Sequence, residues 1–365
     1  MCEVDHVYPR RVGRRAVWRQ VMPTLTWRFF VGLFFDNCNV NCNRFAVYIH
    51  PVLQYEAMRI AFLGKGGSGK TTTSSFVARV AAEMYRELYV IDADINVHMR
   101  EALGLSSGEA HEFRQVFEYV ETKIRHDRPD VAALKTLPRT LPPWRLEDRC
   151  TLSFEAAPCK DLRRHDNMLL FELGSYTEDT MGWSCHHGAL GTLQLVLAHV
   201  NDGEDQLIIA DLTAGADVFG VGMLGLFDIV FVAVEPTMKS TNIYNQLTDL
   251  AVADDVALCP IANKIIDESD VQFIETRIGQ PVKFAIGMSN FVRRLERGEA
   301  VGIADIEPPT RQVLGEIVTY MQSVKRDEQR MFQSTLAAHR RAAKKWPKQK
   351  FPIDLMTLIN PEYER

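Results

Sequence analysis

A chain of 365 residues, 46% hydrophobic and 24% charged, is long enough for one large domain with appendages. Its formal net charge of −5 argues against a general nucleic-acid binder. No stretch reaches the roughly eighteen consecutive apolar residues of a membrane span.

Residues 1–57 hold seven Arg, no Lys and three of the seven Cys, with an aperiodic apolar patch at Phe29-Phe30-Val31-Gly32-Leu33-Phe34-Phe35. That composition is unlike a folded domain. The plainest reading is that translation starts at Met58 and that 1–57 is an extension outside the working protein. The alternative is an Arg-rich, acid-poor arm that acts as a transit segment or touches membranes.

Arg59-Ile60-Ala61-Phe62-Leu63 is a short apolar run that predicts a buried strand. It feeds into Gly64-Lys65-Gly66-Gly67-Ser68-Gly69-Lys70-Thr71-Thr72, which satisfies the phosphate-binding pattern G-x-x-x-x-G-K-[ST]. Glycines at 66, 67 and 69, with Ser68, let consecutive backbone N–H groups converge on an anion. Lys70 is placed to reach β and γ phosphates and the Thr71 hydroxyl to ligate Mg²⁺, and Thr72 closes the set of nucleotide-binding residues of the loop. Phe76, Val77, Val80, Ala81 and Met84 recur at helical spacing, so a helix over 71–85 is predicted, its N-terminus at the phosphate. The pattern predicts ATP or GTP as ligand.

Further strands are predicted at Leu88–Ile91, ending in Asp92-Ala93-Asp94, and at Leu207–Ala210, ending in Asp211. Carboxylates at the C-terminal ends of such strands stand where ligands of open α/β sheets bind. Asp211 is suited to hold Mg²⁺ through water. Asp228–Val234 and Val256–Ala262 have the continuous apolar character of strands covered on both faces, and Val282–Ile286 is read as the last strand. The fold class is therefore α/β, a P-loop domain whose mostly parallel sheet is flanked by helices on both faces.

With its second lysine, Lys65-Gly66-Gly67-Ser68-Gly69-Lys70-Thr71 resembles the deviant Walker A motif of the ATPase group that includes MinD, ParA, CooC and the nitrogenase iron protein. The resemblance spans about residues 58–321 and is most similar to CooC-like ATPases. It implies a homodimer closed over two ATP molecules, with Lys65 crossing to the partner's nucleotide; a solvated Lys65 is the bland alternative. It implies that Asp94 orients or activates the attacking water, that Gly215 in Leu212-Thr213-Ala214-Gly215 senses the γ-phosphate, and that Asn263 of Asn263-Lys264 contacts adenine. Glu235-Pro236 and Ser240 also match. Departures from the group's pattern are Ile95 in place of a proline after Asp94, and Asp217-Val218 and Val221 where CooC-like chains carry Glu-His and Arg. Asp92 is either a structural cap or a residue of the outer site.

CooC-like ATPases assist nickel insertion into carbon monoxide dehydrogenase and carry a metal-binding Cys-x-Cys. Here Trp183 replaces the first cysteine and only Cys185 remains, beside His186 and His187. A Zn or Ni site centred on Cys185 is chemically feasible, but an interface patch without metal is the preferred reading. The group works in a reducing cytoplasm, so a cytoplasmic protein with free thiols is expected.

The domain is accordingly bounded at 58–323, with an insertion at about 106–161 in which the spacing of Phe113, Val116, Phe117, Val120 and Ile124 predicts a helix and Pro138, Pro142 and Pro143 a loop. Such insertions carry partner contacts in the group. Residues 324–365 form a basic helix and tail, with nine Lys or Arg against two acids between Val324 and Lys350. The bland reading is a solvated helix and flexible tail; its rival is an arm that docks on DNA or an anionic membrane. The function expected is a dimeric ATPase, with ATP and Mg²⁺ as cofactors, that couples nucleotide state to a protein cargo. The alternatives are a non-hydrolysing nucleotide-gated interaction protein and a nickel-type metallochaperone.

Overall fold

The computed structural model describes residues 55–174, 186–213, 222–252, 255–299, 301–345 and 353–363, and the backbone of a separate antiparallel ribbon pairing 28–31 with 49–52. In chain order the main elements are β1 (Met58–Gly64), α1 (Lys70–Ala81), β2 (Glu87–Ala93), β3 (Ala110–Glu112), α2 (Arg114–Asp127), β4 (Met168–Glu172), α3 (His186–His199) and β5 (Gln206–Leu212). They continue as β6 (Ile229–Val234), α4 (Met238–Ala251), β7 (Leu258–Ile265), α5 (Glu268–Ile278), β8 (Phe284–Gly287), α6 (Asn290–Glu296), α7 (Pro308–Ser323) and α8 (Glu328–Lys345).

Eight strands pair in the order β8-β7-β6-β1-β5-β2-β4-β3, and every pairing is parallel. Parallel sheets are covered on both faces, which explains why β1, β2 and β5 are buried at every position rather than at alternate ones. Successive residues then serve opposite cores. Ile60 and Phe62 pack with α1 and α7, and Ala61 and Leu63 with the side that α2, α3 and α4 cover. With β1 flanked by β6 and β5, the C-terminal ends of β1, β2, β5, β6 and β7 share one edge, where this class binds ligands.

Three expectations are corrected. First, the strands at 87–93 and 206–212 run past their predicted ends, so Asp92 and Asp211 lie within strands. Likewise Asn263 and Lys264 lie inside β7, at a register shift against β8, rather than after it. Second, the boundary at Met58 falls too late, because Tyr55 is buried, stacks on Tyr85 at 5.1 Å between ring centres, and hydrogen-bonds through its N–H to Asp205. Third, α8 is not a solvated helix. Met331, Phe332, Thr335, Leu336, Ala338, His339 and Ala342 are buried along it, and residues 353–359 pack back against it through Leu355 and Ile359. The insertion at 106–161 also does more than protrude: β3 extends the sheet, and the predicted helix appears as α2 on top of α3. Among the described residues no helix is long and apolar enough to cross a membrane.

Candidate functional site

The chain leaves β1 at Gly64, whose neighbour Ala233 on β6 is so close that a Cβ on Gly64 would come within 2.8 Å of its carbonyl oxygen. The loop turns through Gly67 and Gly69, both left-handed, the conformation glycine adopts without steric penalty. At Gly69 (φ 88°) a Cβ would also collide with the Asn263 amide. That amide donates to the Ser68 carbonyl at 2.8 Å, and the Lys264 ammonium donates to the Gly67 carbonyl at 2.6 Å. The end of β7 therefore ties down the phosphate loop from outside. α1 begins at Lys70, and its first-turn N–H groups face the loop without intrahelical partners, the arrangement that attracts anions.

Three carboxylates stand beneath this loop. Asp211 is inaccessible to solvent; its Oδ2 accepts from the Thr71 hydroxyl at 2.5 Å and lies 3.8 Å from the Lys70 ammonium. Its Oδ1 has no hydrogen-bond partner. Burial pushes this carboxyl up to about 7; Lys70 and the Thr71 hydroxyl pull it down, and Asp92 and Asp94 push it further up. Asp94 pairs directly with Lys70 and accepts from the Asn96 N–H at 3.0 Å. Burial disfavours the Lys70 ammonium, but Asp211, Asp94 and Asp92 outweigh it, and Lys70 stays charged with its pKa raised.

Asp92 proves to be a cap. It accepts from the N–H groups of Asp94 (3.2 Å), His98 (2.9 Å) and Met99 (2.8 Å), which folds the loop after β2 and fixes the backbone of Asp94. Burial raises its pKa to about 6 against those three donors.

Glu235, at the C-terminal end of β6, meets two lysines, Lys264 at 2.8 Å and Lys65 at 3.3 Å. Lys65 is thus a half-exposed partner of Glu235. Sequence reading matches Glu235 but misses this role, because β6 becomes the neighbour of β1 only once the strand order is known. The fold brings Lys65, Gly66, Gly67, Ser68, Gly69, Lys70, Thr71, Thr72, Asp94, Asp211 and Asn263 to one edge of the sheet. Gly215 and Cys185 lie outside the described residues, as do the side chains of His186 and His187. Among the described residues no cluster of three His, Cys, Asp or Glu could hold a metal ion.

These residues suit a nucleotide with Mg²⁺. A helix N-terminus faces the loop, and a buried carboxylate oxygen lacks any partner beside the Thr71 hydroxyl, the pair that P-loop proteins use for the metal.

No protein-family model matches the chain. It is 25% identical over 257 residues to the carbon monoxide dehydrogenase accessory protein CooC of Rhodospirillum rubrum, covering 70% of this chain and 92% of that protein. It is 24% identical over 220 residues to an uncharacterized ATP-binding protein of Methanocaldococcus jannaschii, covering 60% of this chain and 83% of the relative. Solved structures that align with it include the cell division ATPase MinD of Pyrococcus furiosus, at 14% identity over 72% of this chain and 99% of that one, with a TM-score of 0.48. With the phosphate loop, the buried aspartates and the parallel sheet in place, the chain is similar in sequence and fold to the MinD/ParA/CooC-like group of P-loop ATPases.

Proposed function

We propose that the chain is a dimeric Mg²⁺-dependent ATPase, with a phosphate loop of the deviant Walker A kind, whose nucleotide state gates the binding of a protein cargo. The observation that carries this reading is the convergence of Lys70, Thr71, Asp94 and Asp211 under the loop, with one oxygen of Asp211 left free. Thr71 and Asp211 would hold Mg²⁺, Asp211 through water, and the metal would offset charge between the β and γ phosphates. Lys70 exchanges its bond with Asp94 for phosphate oxygens. Asp94, released from Lys70 and oriented through Asp92, then positions the attacking water. Lys65 leaves Glu235 for the partner's nucleotide, and Lys264 keeps Glu235 compensated when it goes. Phosphoryl transfer to water asks for little beyond such positioning and charge.

Removing the charge that meets the phosphates defines the test. Lys70→Ala should weaken binding of a non-hydrolysable ATP analogue by roughly tenfold to a hundredfold, the range of a charge-assisted hydrogen bond. Lys65→Ala should bind the analogue normally and lose turnover that depends on protein concentration. Equal affinity of Lys70→Ala and wild type in calorimetry would sink the assignment.

One observation favours a second reading. Asp94 is held by both Lys70 and the Asn96 N–H, in a loop where Ile95 replaces the group's proline, which suits a nucleotide-gated protein that does not hydrolyse. Absence of Mg·ATP turnover in a preparation that binds ATP would decide for it. A metallochaperone role like that named for CooC would require metal bound through Cys185, read as metal stoichiometry lost in Cys185→Ser. Docking on DNA or anionic lipid through 324–350 is disfavoured, because α8 turns Met331, Leu336 and His339 into the fold and the Arg326 that precedes it is buried among carboxylates.

A further inference from the structure

The phosphate loop is gripped from β7 at a cost to β7 itself. Lys264 has a left-handed backbone (φ 63°), which residues other than glycine rarely adopt, and the register of β7 against β8 shifts between Asn263 and Ile265. Consecutive side chains of a regular strand point to opposite faces. Here the kink turns both to the same loop, the Asn263 amide donating to the Ser68 carbonyl at 2.8 Å and the Lys264 ammonium to the Gly67 carbonyl at 2.6 Å. Strain of this kind persists where the surroundings fix it, and it gathers at functional sites.

Those two bonds set the shape of the loop. The Ser68 N–H donates to the Lys65 carbonyl at 2.9 Å and closes a turn over Lys65-Gly66-Gly67-Ser68, whose third residue, Gly67, has φ 79°. A type II turn asks for that conformation at its third position. Lys264 fixes the peptide that leaves Gly67, and Asn263 the one that leaves Ser68. The C=O and N–H of a trans peptide point in opposite directions, so the Gly69 N–H is turned away from Asn263. Glycines at 66, 67 and 69 make this stretch entropically expensive to order, and ordering it in advance favours whatever it binds.

Glu235 completes the arrangement. Its side chain is only 13% exposed, its Oε1 lies 2.8 Å from the Lys264 ammonium, and its N–H donates to the Ser240 hydroxyl at 3.0 Å. The carboxylate thus holds the ammonium at Gly67, while Oε2, 3.3 Å from Lys65, ties down the front of the loop.

We propose that Lys264, aimed by Glu235, is a positioning residue for phosphate binding: it shapes the loop for an anion independently of the base that the nucleotide carries. This role rests on the reading of the loop as a phosphate site.

Inorganic tripolyphosphate offers the anion without the nucleoside. Lys264→Asn removes the ammonium and keeps a residue that tolerates the left-handed backbone. Lys239→Asn removes an equal charge from an exposed lysine in the first turn of α4. In calorimetry on the full chain with Mg²⁺, wild type should bind both tripolyphosphate and a non-hydrolysable ATP analogue. Lys264→Asn should raise both Kd values by a common factor, roughly threefold to thirtyfold, and Lys239→Asn should raise neither. Without ligand, the amides of residues 64–69 should exchange hydrogen at least about threefold faster in Lys264→Asn than in wild type. Were Lys264→Asn unable to fold, Lys264→Gly, which relieves the strain, would carry the same comparison. The proposal is overturned if Lys264→Asn binds tripolyphosphate as wild type does, if only the analogue is affected, or if exchange of the loop is unchanged. Failure of wild type to bind either ligand would overturn the phosphate-site reading, and this role with it.

Discussion

Asp211 has to be a carboxylate to serve Mg²⁺, yet burial pushes it up to about 7, and burial pushes its neighbour Asp92 up to about 6. A carboxyl whose folded pKa exceeds its unfolded value of about 4 holds a proton in the native state that the unfolded chain has released. The native state then binds more protons than the unfolded one between those values, so stability declines as pH rises from about 4 to about 7. Without ligand, the protein should therefore be less stable at pH 8 than at pH 5.5 through this site, by an amount on the order of a few kcal/mol. Asp211→Asn should flatten that slope, and Mg·ATP should raise stability at pH 8 in the wild type far more than in the variant. Urea unfolding at the two pH values checks both, and identical slopes in wild type and variant would contradict the assignment of the burden to Asp211.

At the level of elements, the least expected feature is how firmly the C-terminal helix is built in. Arg326, just ahead of α8, pairs with Asp202 at 2.7 Å and Asp228 at 3.4 Å, and Arg59 of β1 pairs with the same Asp202 at 2.6 Å. Arg330 continues the clasp by donating to the carbonyls of Gly225 and Phe227. Breaking a buried ion network by removing one partner strands the others, so Arg326→Ala should cost about 3–5 kcal/mol in chemical denaturation. A change below about 1 kcal/mol would mean that water compensates Asp228. The start of the chain supplies a parallel test. A truncated chain beginning at residue 54 should melt at a higher temperature than one beginning at Met58, because only the first retains the Tyr55–Tyr85 stack and the bond to Asp205. Equal melting curves would restore the boundary at 58.

These two elements also show what the sequence could and could not reveal. β1, β2, β5, β6 and β7 are legible because strands of a parallel sheet covered on both faces are continuous apolar runs. β3 is only Ala-His-Glu at a sheet edge, with no apolar pattern to read. β4, Met168–Glu172, does have the apolar run, but it is short and follows directly on the loops of the insertion, which hide it. α8 misleads in the other direction. The nine basic residues of its segment suggest solvent, while Met331, Thr335, Ala338 and Ala342 recur at helical spacing and face inward. Net charge describes a segment, and periodicity describes its faces. In the site, the individual residues are legible from the phosphate-loop pattern, but the pairing of Lys65 and Lys264 through Glu235 depends on strand order, which no local pattern contains.

Over the whole molecule, the question is whether nucleotide state changes what the protein holds. Downstream of Asp211, the described chain from residue 222 on enters the stretch that α8 grips, where Gly222 lies so close to Ala338 and Arg341 that a Cβ would come within 2.9 Å of each. A rearrangement around the γ-phosphate would therefore reach the C-terminal helix and, through the His339–Thr140 bond, the insertion. Asp94→Ala should leave Lys70, Thr71 and Asp211 in place while slowing attack by water, which traps the ATP-bound form. Light scattering with ATP should show this variant at twice the monomer mass, and Lys70→Ala as a monomer. Capture from native lysate should then enrich a cargo with Asp94→Ala and not with Lys70→Ala: a metalloenzyme would point to CooC-like work, a DNA or lipid fraction to partition or positioning. If both variants stay monomeric with ATP and recover the same background, the proposed dimer-coupled gating is wrong for this chain.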